Sequence, residues 1–300
     1  MLPGQIGGSA HNGIRTMTTV SISIVLPAKN EEGALNDLIP RLRQVYPEAE
    51  IIVVNDASTD RTPNVAREKG VTVIDHPYSM GNGAAIKTGV RNARGEILVF
   101  MDADGQHDPD DIARLLAKLD EGFDMVVGAR DAGSQASLGR GIANGFYNRF
   151  ASWMVGQSIE DLTSGFRVAR AENFREFLHL LPNGFSYPTT STMAFFRSGY
   201  SVGYVPIRAH KRIGRSHIRI LSDGVRFLLI MFKIGTLYSP LKIFLPVSVS
   251  MATLGCLYYG YTFATRHAFT NMSALLLTTS VVIFLIGLVS EQITMLLYQK

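Results

Sequence analysis

Short apolar runs alternate with amphipathic segments through residues 20–130 of the chain. An apolar run bounded by turn residues is typical of a buried strand, and apolar positions three or four residues apart are typical of a helix. The pattern predicts strands at 21–27, 50–54, 71–74, 97–101 and 124–127. It predicts helices at 31–46, up to Lys69, at 84–94 and from Asp108 onward. Because strands and helices alternate, we expect an α/β fold with a mostly parallel sheet covered on both faces.

Two aspartates, Asp102 and Asp104, directly follow the apolar strand 97–101. Ligands of open α/β sheets bind at the carboxyl ends of strands, and two carboxylates there repel each other unless a proton or a cation lies between them. Mg²⁺ and Mn²⁺ prefer such oxygen ligands, so a metal–phosphate site is one hypothesis. The alternative is that the pair only caps the next helix, although Asp108 and Pro109 already supply start signals for that helix. The spacing alone leaves both interpretations open.

Other polar residues follow the neighbouring strands. Asn30 and Glu31 come after the first strand, with Asn30 as a candidate helix cap, and Asp56 comes after the second. Asp56 is suited to hydrogen-bond a base or a ribose, or alternatively to form a turn. The glycine pair in 81–83 lacks the third glycine of a dinucleotide fingerprint and indicates a tight turn or close backbone approach to a ligand. We expect 183–192 to be a loop, which either shapes a sugar pocket or is purely structural.

The C-terminal part of the chain is strongly apolar. The whole chain is 46% hydrophobic with a mean hydropathy of +0.14, and the runs Ile243–Ala264 (22 residues) and Met272–Ser290 (19 residues) carry no charge. A membrane-spanning helix needs about 20 apolar residues, so both runs predict a transmembrane hairpin. The alternative is a buried hairpin in a soluble protein. The single cysteine, Cys256, excludes an internal disulfide.

Basic residues are concentrated just before the first apolar run. Segment 218–238 places Arg219, Arg226 and Lys233 among apolar residues at helical spacing, which is typical of an amphipathic helix in the bilayer interface; the alternative is a core helix. The basic stretch 208–215 lies beside a membrane anchor and has few aromatic residues, so anionic lipid or lipid phosphate is a better partner than nucleic acid. By the positive-inside rule, we expect the N-terminal domain to lie in the cytoplasm.

Six blocks of sequence carry a resemblance to a known family. They are Val25–Glu32, Val54–Asp60, Asn82–Ala85, Asp102–His107, Asp161–Arg167 and Arg212–Ile218. In this order they resemble the family 2 glycosyltransferases, which have a GT-A fold, and the last two resemble the polyprenyl-phosphate sugar transferases related to dolichyl-phosphate mannose synthase. The resemblance covers about residues 20–240 and strengthens the metal interpretation of the acidic pair.

The resemblance implies a set of site residues. It implies a nucleotide pocket lined by Pro27, Ala28, Glu31, Asp56, Asp102 and Ala103. It implies a Mg²⁺ or Mn²⁺ ion held by Asp102, Asp104 and Gln106. It implies catalytic roles for Asp102, Asp104, Arg130, Asp161 and Arg167 near the donor sugar and the phosphates. It implies that Ser164, Arg212, Arg215 and Ser216 bind the acceptor phosphate.

One position departs from the family pattern. The family usually has lysine after the serine of the last block, and this chain has His217. His217 either still donates to the phosphate or is a surface histidine at the start of a helix.

The resemblance implies an inverting, metal-dependent transferase that moves one sugar onto a polyprenyl or dolichyl monophosphate. Mannose from GDP-mannose is the leading expectation, and glucose from UDP-glucose is the alternative. The acceptor phosphate is largely ionised at neutral pH, so it needs orientation by arginines more than deprotonation, and Asp161 is either a general base or a positioning residue. A processive polysaccharide synthase would need a Gln-x-x-Arg-Trp motif, which the only tryptophan, Trp153, does not complete; a non-catalytic scaffold would be expected to lose the acidic pair.

The sequence therefore predicts four parts. They are a disordered leader at 1–18, a cytoplasmic catalytic domain at 19–217, an amphipathic interfacial helix at 218–240 and a transmembrane hairpin at 241–300. The expected partners are a nucleotide-sugar donor, a polyprenyl phosphate acceptor and the cell membrane, without nucleic acid. The sequence leaves the oligomeric state open, including a homo-oligomer.

Overall fold

The computed structural model describes residues 20–130, 138–184, 186–208, 232 and 235–298, with side chains left out between 138 and 144. Several predictions fall outside these residues. They concern the leader at 1–18, most of the interfacial helix at 218–240, and Arg212, Arg215, Ser216 and His217.

The described residues include seven strands and nine helices with defined bounds. The strands are β1 (Ile22–Ala28), β2 (Glu50–Asn55), β3 (Thr72–Asp75), β4 (Ile97–Phe100), β5 (Met125–Arg130), β6 (Arg167–Arg170) and β7 (Val202–Ile207). The helices of the N-terminal part are α1 (Glu32–Val45), α2 (Thr62–Glu68), α3 (Asn82–Asn92), α4 (Asp111–Asp120), α5 (Leu138–Val155), α6 (Ala171–Glu176) and α7 (Tyr187–Arg197). Two long helices, α8 (Pro240–Arg266) and α9 (Asn271–Leu297), follow.

The strands form one sheet in the order β3-β2-β1-β4-β6-β5-β7. The pairs β1–β2, β1–β4, β2–β3 and β5–β7 are parallel, whereas β6 is antiparallel to both of its neighbours. The predicted α/β fold with a mostly parallel sheet is thus confirmed. From β1 the chain adds β2 and β3 on one side, and it then returns to add β4 on the other side of β1. Such a change in strand order is a switch point, which opens a crevice at the carboxyl ends of β1 and β4.

Helices cover both faces of the sheet, because neighbouring residues of a strand point to opposite sides. On one face Ile24 and Leu26 of β1 pack in a cluster with α1, α2 and α4. On the other face Val25 packs in a second cluster with α3, α5, α6 and α7. The two clusters hold the strand ends, and therefore the crevice, in place.

The structure corrects several local predictions. The expected loop at 183–192 contains the start of α7, which begins at Tyr187. Asp108 is not the cap of α4: it forms a preceding turn, in which its Oδ1 accepts a hydrogen bond from Asp110 N (3.0 Å), and the helix begins at Asp111. Asn30 does not cap α1 either, because its Oδ1 accepts a hydrogen bond from Thr59 N (2.8 Å) in the next loop.

Helices α8 and α9 form the predicted hairpin. Apart from Pro240 at the start of α8, their buried residues are small and are spaced seven residues apart. They are Ser248, Gly255 and Thr262 in α8, and Ser273, Ser280, Gly287 and Thr294 in α9. Ser248 and Ser280 each donate a hydrogen bond from Oγ to the carbonyl of the other, at 2.9 and 3.0 Å. By length and composition, both helices could cross a membrane. Only 11% of the most apolar 18-residue stretch of α8, and 17% of that of α9, is buried.

Polar contacts join this hairpin to the α/β unit. Glu291 of α9 pairs with Arg197 of α7 (2.9 Å) and accepts a hydrogen bond from Leu241 N at the start of α8 (3.3 Å). Lys242 donates to the carbonyl of Met154 at the end of α5 (2.8 Å), and Tyr238 Oη donates to the Thr190 carbonyl (2.8 Å). The hairpin is therefore anchored at the end that faces the sheet.

Candidate active site

The crevice at the switch point is a cleft of about 490 Å³. It is lined by the carboxyl ends of β1, β2 and β4, by the start of α3 and by residues before and at the start of α7. The lining residues are Pro27, Ala28, Lys29, Glu31, Asp56, Ser79, Gly81, Asn82, Ala85, Asp102, Ala103, Asp104, Gln106, Thr163, Gly165, Gly184, Tyr187 and Pro188. All residues predicted for the nucleotide pocket and for the metal thus line one cleft.

The acidic pair after β4 offers oxygen ligands to this cleft. Asp104 is buried, and its Oδ1 accepts a hydrogen bond from Gln106 N (3.1 Å). Asp102 packs on the backbone of Gly165 so closely that a Cβ at that glycine would lie 2.7 Å from Asp102 Oδ2. Within the described part of the chain, no three or more His, Cys, Asp or Glu residues form a metal-holding group. The two carboxylates alone fit a hard divalent cation that takes its remaining ligands from phosphates and water.

A buried histidine lies behind the acidic pair. His107 stacks on Phe166 with ring centroids 4.9 Å apart, and its Nε2 lies 4.0 Å from Asp102 Oδ2. Burial lowers the pKa of His107 to about 4, although the nearby Asp104 acts in the opposite direction. His107 is therefore neutral at physiological pH and does not neutralise the carboxylates.

Asp56 organises the loop that follows β3. Its Oδ1 accepts hydrogen bonds from His76 Nδ1 (2.9 Å) and Met80 N (2.7 Å), and its Oδ2 accepts from Ser79 Oγ (2.8 Å) and Gly81 N (3.0 Å). Burial alone would raise the pKa of Asp56, but these hydrogen bonds outweigh burial and lower it. Asp56 thus lies at the cleft, as expected for the nucleotide pocket, and its side chain holds the loop after β3 rather than the local turn of the alternative interpretation.

The glycine pair at 81–83 serves close packing within the chain. A Cβ at Gly81 would lie 2.5 Å from the Asn183 carbonyl oxygen, and one at Gly83 would lie 2.1 Å from that of Pro182. The carbonyl of Gly184 accepts a hydrogen bond from Gly83 N (3.2 Å) at the start of α3. The backbone that approaches these glycines is therefore that of the segment before α7.

Arg130 and Asp161 form an ion pair beside the acidic pair. Arg130 Nε and Nη2 donate to the two carboxylate oxygens at 2.8 and 3.0 Å, and Nη2 also donates to Thr163 Oγ1 (2.6 Å), a residue that lines the cleft. Burial would raise the pKa of Asp161, but the hydrogen bonds and charge of Arg130 lower it. Ser164 N donates a further hydrogen bond to Asp161 Oδ1 (3.1 Å).

The structure places Arg167 behind the wall of the cleft, in contact with Tyr187 and Pro188, and not among the lining residues. Its side chain is fully buried, and its guanidinium donates to Ser191 Oγ (2.7 Å) and to the carbonyls of Pro188 (2.9 Å) and Ser164. Ser164 is also buried, with 1% exposure. In this structure neither side chain is open to a substrate, so the expected contact of Arg167 with donor sugar or phosphate is corrected: Arg167 links β6 to the start of α7.

Sequence reasoning missed several cleft residues. They include Lys29, Ser79 and Gly165, whereas Asn82 lies in the segment 81–83, for which approach to a ligand was one interpretation, and Tyr187 and Pro188 lie in 183–192, for which a sugar pocket was one interpretation. Lys29 Nζ donates to Ser79 Oγ (2.8 Å), and Tyr187 Oη donates to the Gly165 carbonyl (3.1 Å). Lys29 and Gly165 stand inside two of the quoted blocks, so their position was a usable signal. Ser79 had no such signal, because only the tertiary fold brings it to the strand ends.

An α/β cleft with paired carboxylates at a strand end is compatible with a transferase that uses nucleotide sugars, and comparison with known proteins names the family. The model "Glycosyl transferase family 2" matches residues 23–178, and the model "GtrB C-terminal hairpin" matches residues 239–296. The chain belongs to glycosyl transferase family 2. The protein is therefore an enzyme that transfers a glycosyl group, and the predicted resemblance and the hairpin are confirmed.

Two of the relatives of this chain illustrate the similarity in sequence. Low-salt glycan biosynthesis hexosyltransferase Agl6 of Haloferax volcanii is 29% identical over 70% of this chain, which spans only 53% of that relative. Undecaprenyl-phosphate mannosyltransferase of Micrococcus luteus is 30% identical over 67% of this chain and 87% of that relative.

A solved structure shares the fold. Glucosyl-3-phosphoglycerate synthase from Mycobacterium tuberculosis, solved in complex with Mn²⁺ and uridine-diphosphate-glucose, matches with a TM-score of 0.57 and 22% identity over 72% of this chain and 78% of that one. The GT-A-like character of the sheet is thereby confirmed.

Proposed function

We propose that this protein is a membrane-bound, inverting glycosyltransferase that moves one mannose from GDP-mannose onto a polyprenyl or dolichyl monophosphate at the cytoplasmic face of the cell membrane. One observation carries the proposal. The acidic pair after β4 and the polar ends of β1 and β2 line a single cleft, in a chain whose matched C-terminal hairpin exposes two long apolar helices.

The cleft residues match the chemistry of a nucleotide-sugar donor. Asp102 and Asp104, with the Gln106 side chain, would hold Mg²⁺ or Mn²⁺ through oxygen atoms. When bound, such an ion acts as a Lewis acid that neutralises the charge of the departing diphosphate. Pro27, Ala28, Glu31, Asp56 and Ala103 would surround the nucleoside at the adjoining strand ends.

Arg130 and Asp161 would position the reacting phosphate and sugar. Asp161 already accepts several N–H donors and has a lowered pKa, so it is a poor proton acceptor and a good anchor for the guanidinium. The acceptor phosphate is largely ionised at neutral pH and needs orientation more than deprotonation. Direct attack of this phosphate on the anomeric carbon would invert the configuration in a single displacement.

The hairpin would bring the lipid acceptor to this cleft. We propose that α8 and α9 span the bilayer, that 218–240 lies in the interface, and that Ser164, Arg212, Arg215 and Ser216 bind the lipid phosphate, with the leader at 1–18 disordered. Arginine suits a phosphate because it pairs with two oxygens at once. The burial of Ser164 requires the 161–165 segment to open for this contact.

The name of the Micrococcus luteus relative, undecaprenyl-phosphate mannosyltransferase, supports mannose and a polyprenyl phosphate. Glucose from UDP-glucose is the alternative donor. An assay with purified protein in detergent, polyprenyl phosphate, Mn²⁺ or Mg²⁺ and a panel of labelled nucleotide sugars tests the proposal. We expect metal-dependent transfer of mannose to the lipid. Transfer of glucose alone would identify UDP-glucose as the donor in place of GDP-mannose. The absence of a lipid product with every donor would contradict the proposed reaction.

A further inference from the structure

The turn after β4 directs the ring of His107 back toward the acidic pair. Gly105 adopts a φ of +74°, which a glycine does at no steric cost, and within the turn Asp104 Oδ1 accepts a hydrogen bond from Gln106 N (3.1 Å). His107 is consequently buried, with 7% exposure, and its ring stacks on Phe166 with centroids 4.9 Å apart and planes inclined by 24°. Packing therefore fixes where the imidazole lies.

Two groups approach the same oxygen of Asp102. A Cβ at Gly165 would lie 2.7 Å from Asp102 Oδ2, and His107 Nε2 lies 4.0 Å from that atom. The second distance is about 1 Å longer than an N–H···O hydrogen bond. Because the Asp102 side chain is 33% exposed, it has room for the small rotation that would bring Oδ2 within hydrogen-bond distance of His107.

The surroundings of His107 favour one position for its ring proton. Nδ1 is buried and has no hydrogen-bond partner in the part of the chain that the structure describes. A neutral imidazole has one N–H donor and one acceptor nitrogen. A proton on Nδ1 would leave that N–H unpaired and would turn the lone pair of Nε2 toward a carboxylate oxygen, and both are unfavourable. A proton on Nε2 instead points an N–H group at Asp102 Oδ2.

We propose that His107 is a positioning residue of the metal site, whose Nε2–H donates a hydrogen bond to Asp102 Oδ2 when a divalent ion is bound. This hydrogen bond fixes the rotation of the carboxylate and leaves Oδ1 for the ion. Groups that hydrogen-bond a metal ligand orient it, and their loss typically lowers metal affinity by about 10- to 100-fold.

His107 is not among the residues that line the cleft, so it acts through Asp102 and does not contact the donor. The inference rests on the proposed function, because it presupposes the metal that the acidic pair would hold. It adds a task for a buried side chain that the proposed reaction does not otherwise use.

Binding of Mn²⁺ to the full chain in detergent, measured by electron paramagnetic resonance of the free ion, tests the inference. His107→Phe keeps a ring to stack on Phe166 and removes the donor, so Mn²⁺ affinity should fall by about tenfold. His107→Gln removes the ring and keeps an amide N–H near the place of Nε2, so affinity should stay within about threefold of the native value. A role in packing alone predicts the opposite order, since phenylalanine preserves the stack and glutamine does not.

The matched control is His179→Phe, which makes the same change at an exposed position between α6 and α7. It should leave Mn²⁺ affinity unchanged. Native affinity in His107→Phe, or a loss in His107→Gln at least as large as that in His107→Phe, would overturn the inference and leave the proposed metal site standing. Failure of the native protein to bind Mn²⁺ would overturn both.

A measurement on the native protein decides the case in which a variant does not fold. Nitrogen NMR of isotope-labelled histidine distinguishes the two neutral tautomers, and the His107 signal is assigned through the contact of its ring with Phe166. We expect the proton on Nε2, and slower exchange of this proton with water once diamagnetic Mg²⁺ is added at a concentration that displaces Mn²⁺. A proton on Nδ1, or exchange that Mg²⁺ leaves unchanged, would overturn the inference.

Discussion

The two carboxylates after β4 occupy different surroundings. The Asp102 side chain is 33% exposed, whereas Asp104 is 7% exposed and its Oδ1 is held by Gln106 N. A buried carboxylate keeps its charge only where a cation or hydrogen bonds compensate it. We therefore choose Asp104 as the carboxylate whose removal tests the proposed metal site.

Asp104→Ala should remove nearly all transferase activity, because the charge of the departing diphosphate is no longer compensated. A metal Lewis acid lowers the activation barrier by several kcal/mol, so we expect turnover to fall by about 100-fold or more when it is lost. Mn²⁺ affinity, measured by electron paramagnetic resonance of the free ion, should fall with it. Asp120→Ala at the exposed end of α4 is the matched control. Unchanged turnover in the Asp104 variant would contradict the metal assignment.

Asp161→Asn should destabilise the α/β unit at neutral pH, because it leaves the half-buried Arg130 without its counter-charge. Removing one partner of a buried ion pair costs about 3 kcal/mol. The pKa of Asp161 lies below its ordinary value of 3.8, so this stability is fully present above pH 3.8 and is lost as the pH falls through the lower folded value. Thermal unfolding should therefore separate the variant from the native protein at pH 7, and the difference should shrink as the pH falls from 3.8 through the lower folded pKa of Asp161. Asp120→Asn should change neither, and a difference that persists at low pH would count against the ion pair.

At the scale of single residues, the sequence predicts cleft residues correctly where a polar side chain directly follows a predicted strand. Asp56, Asp102 and Asp104 each stand just after a predicted strand, and parallel topology then brings them to one edge. The prediction failed for Arg167, because the burial of a side chain depends on the face of β6 and on α7 packed against it. A charged residue in a family motif thus carries no information about which way it points.

Helices and strands differ in how far local pattern determines them. The strands of the first half are strongly apolar, and they were predicted to within a few residues. Helix α7 begins Tyr-Pro-Thr-Thr-Ser-Thr, whose β-branched and hydroxyl residues have low helix propensity, and it forms because nearly all of its residues are buried in the core. Strands β6 and β7 were not predicted, since β6 is only four residues long and pairs with strands distant in sequence.

Gly165→Ala should displace the Asp102 carboxylate, because the added methyl group would lie 2.7 Å from Asp102 Oδ2. Changing a residue that supports a metal ligand typically lowers metal affinity by 10- to 100-fold. We expect Mn²⁺ binding to weaken by about tenfold in titrations. The melting temperature should stay nearly unchanged.

Gly33→Ala in α1 is the matched control, since a Cβ there would meet no atom within 4 Å. It should leave Mn²⁺ affinity unchanged. Native Mn²⁺ affinity in the Gly165 variant would show that the segment before β6 does not restrain Asp102.

Glu291→Gln should loosen the contact between the hairpin and the α/β unit, because Glu291 joins α7, α8 and α9 through Arg197 and the N–H of Leu241. A negative charge near a helix start is also favourable, and glutamine lacks it. We expect severalfold lower transfer to the lipid acceptor with unchanged nucleotide binding, and faster hydrogen exchange at the end of α7. Glu172→Gln, on the exposed side of α6, should alter neither. Equal loss of lipid transfer and nucleotide binding would argue against a docking role.

The whole molecule combines a polar α/β unit with an apolar hairpin that its own core does not cover. Leu257, Val281 and Leu296 are more than half exposed on α8 and α9. An apolar surface of this extent on a monomeric protein marks an interaction site, and two helices of 27 residues fit the thickness of a bilayer. The anchored end of the hairpin contacts the last residue of α7 through Glu291 and the end of α5 through Lys242, and the first residues of α7 line the cleft.

The native cysteine offers a test of this arrangement, because Cys256 is exposed in the middle part of α8. In intact membrane vesicles, a water-soluble maleimide that cannot cross membranes should leave Cys256 unlabelled, and the same reagent should label it after denaturation in detergent. A bilayer shields the thiol, whereas water would not, so labelling of Cys256 in intact vesicles of either orientation would contradict the spanning hairpin.

Two further cysteines in a Cys256→Ala background determine the orientation. Ala268→Cys lies in the connection between α8 and α9, and Glu172→Cys lies on the exposed side of α6. The basic residues before α8 favour a cytoplasmic α/β unit by the positive-inside rule. In vesicles whose outer surface is the cytoplasmic face of the membrane, we therefore expect the maleimide to label only the α6 position. In vesicles of opposite orientation, we expect it to label only the connection. The reverse pattern would place the cleft on the side of the membrane that lacks nucleotide sugars, and the proposed reaction could not take place there.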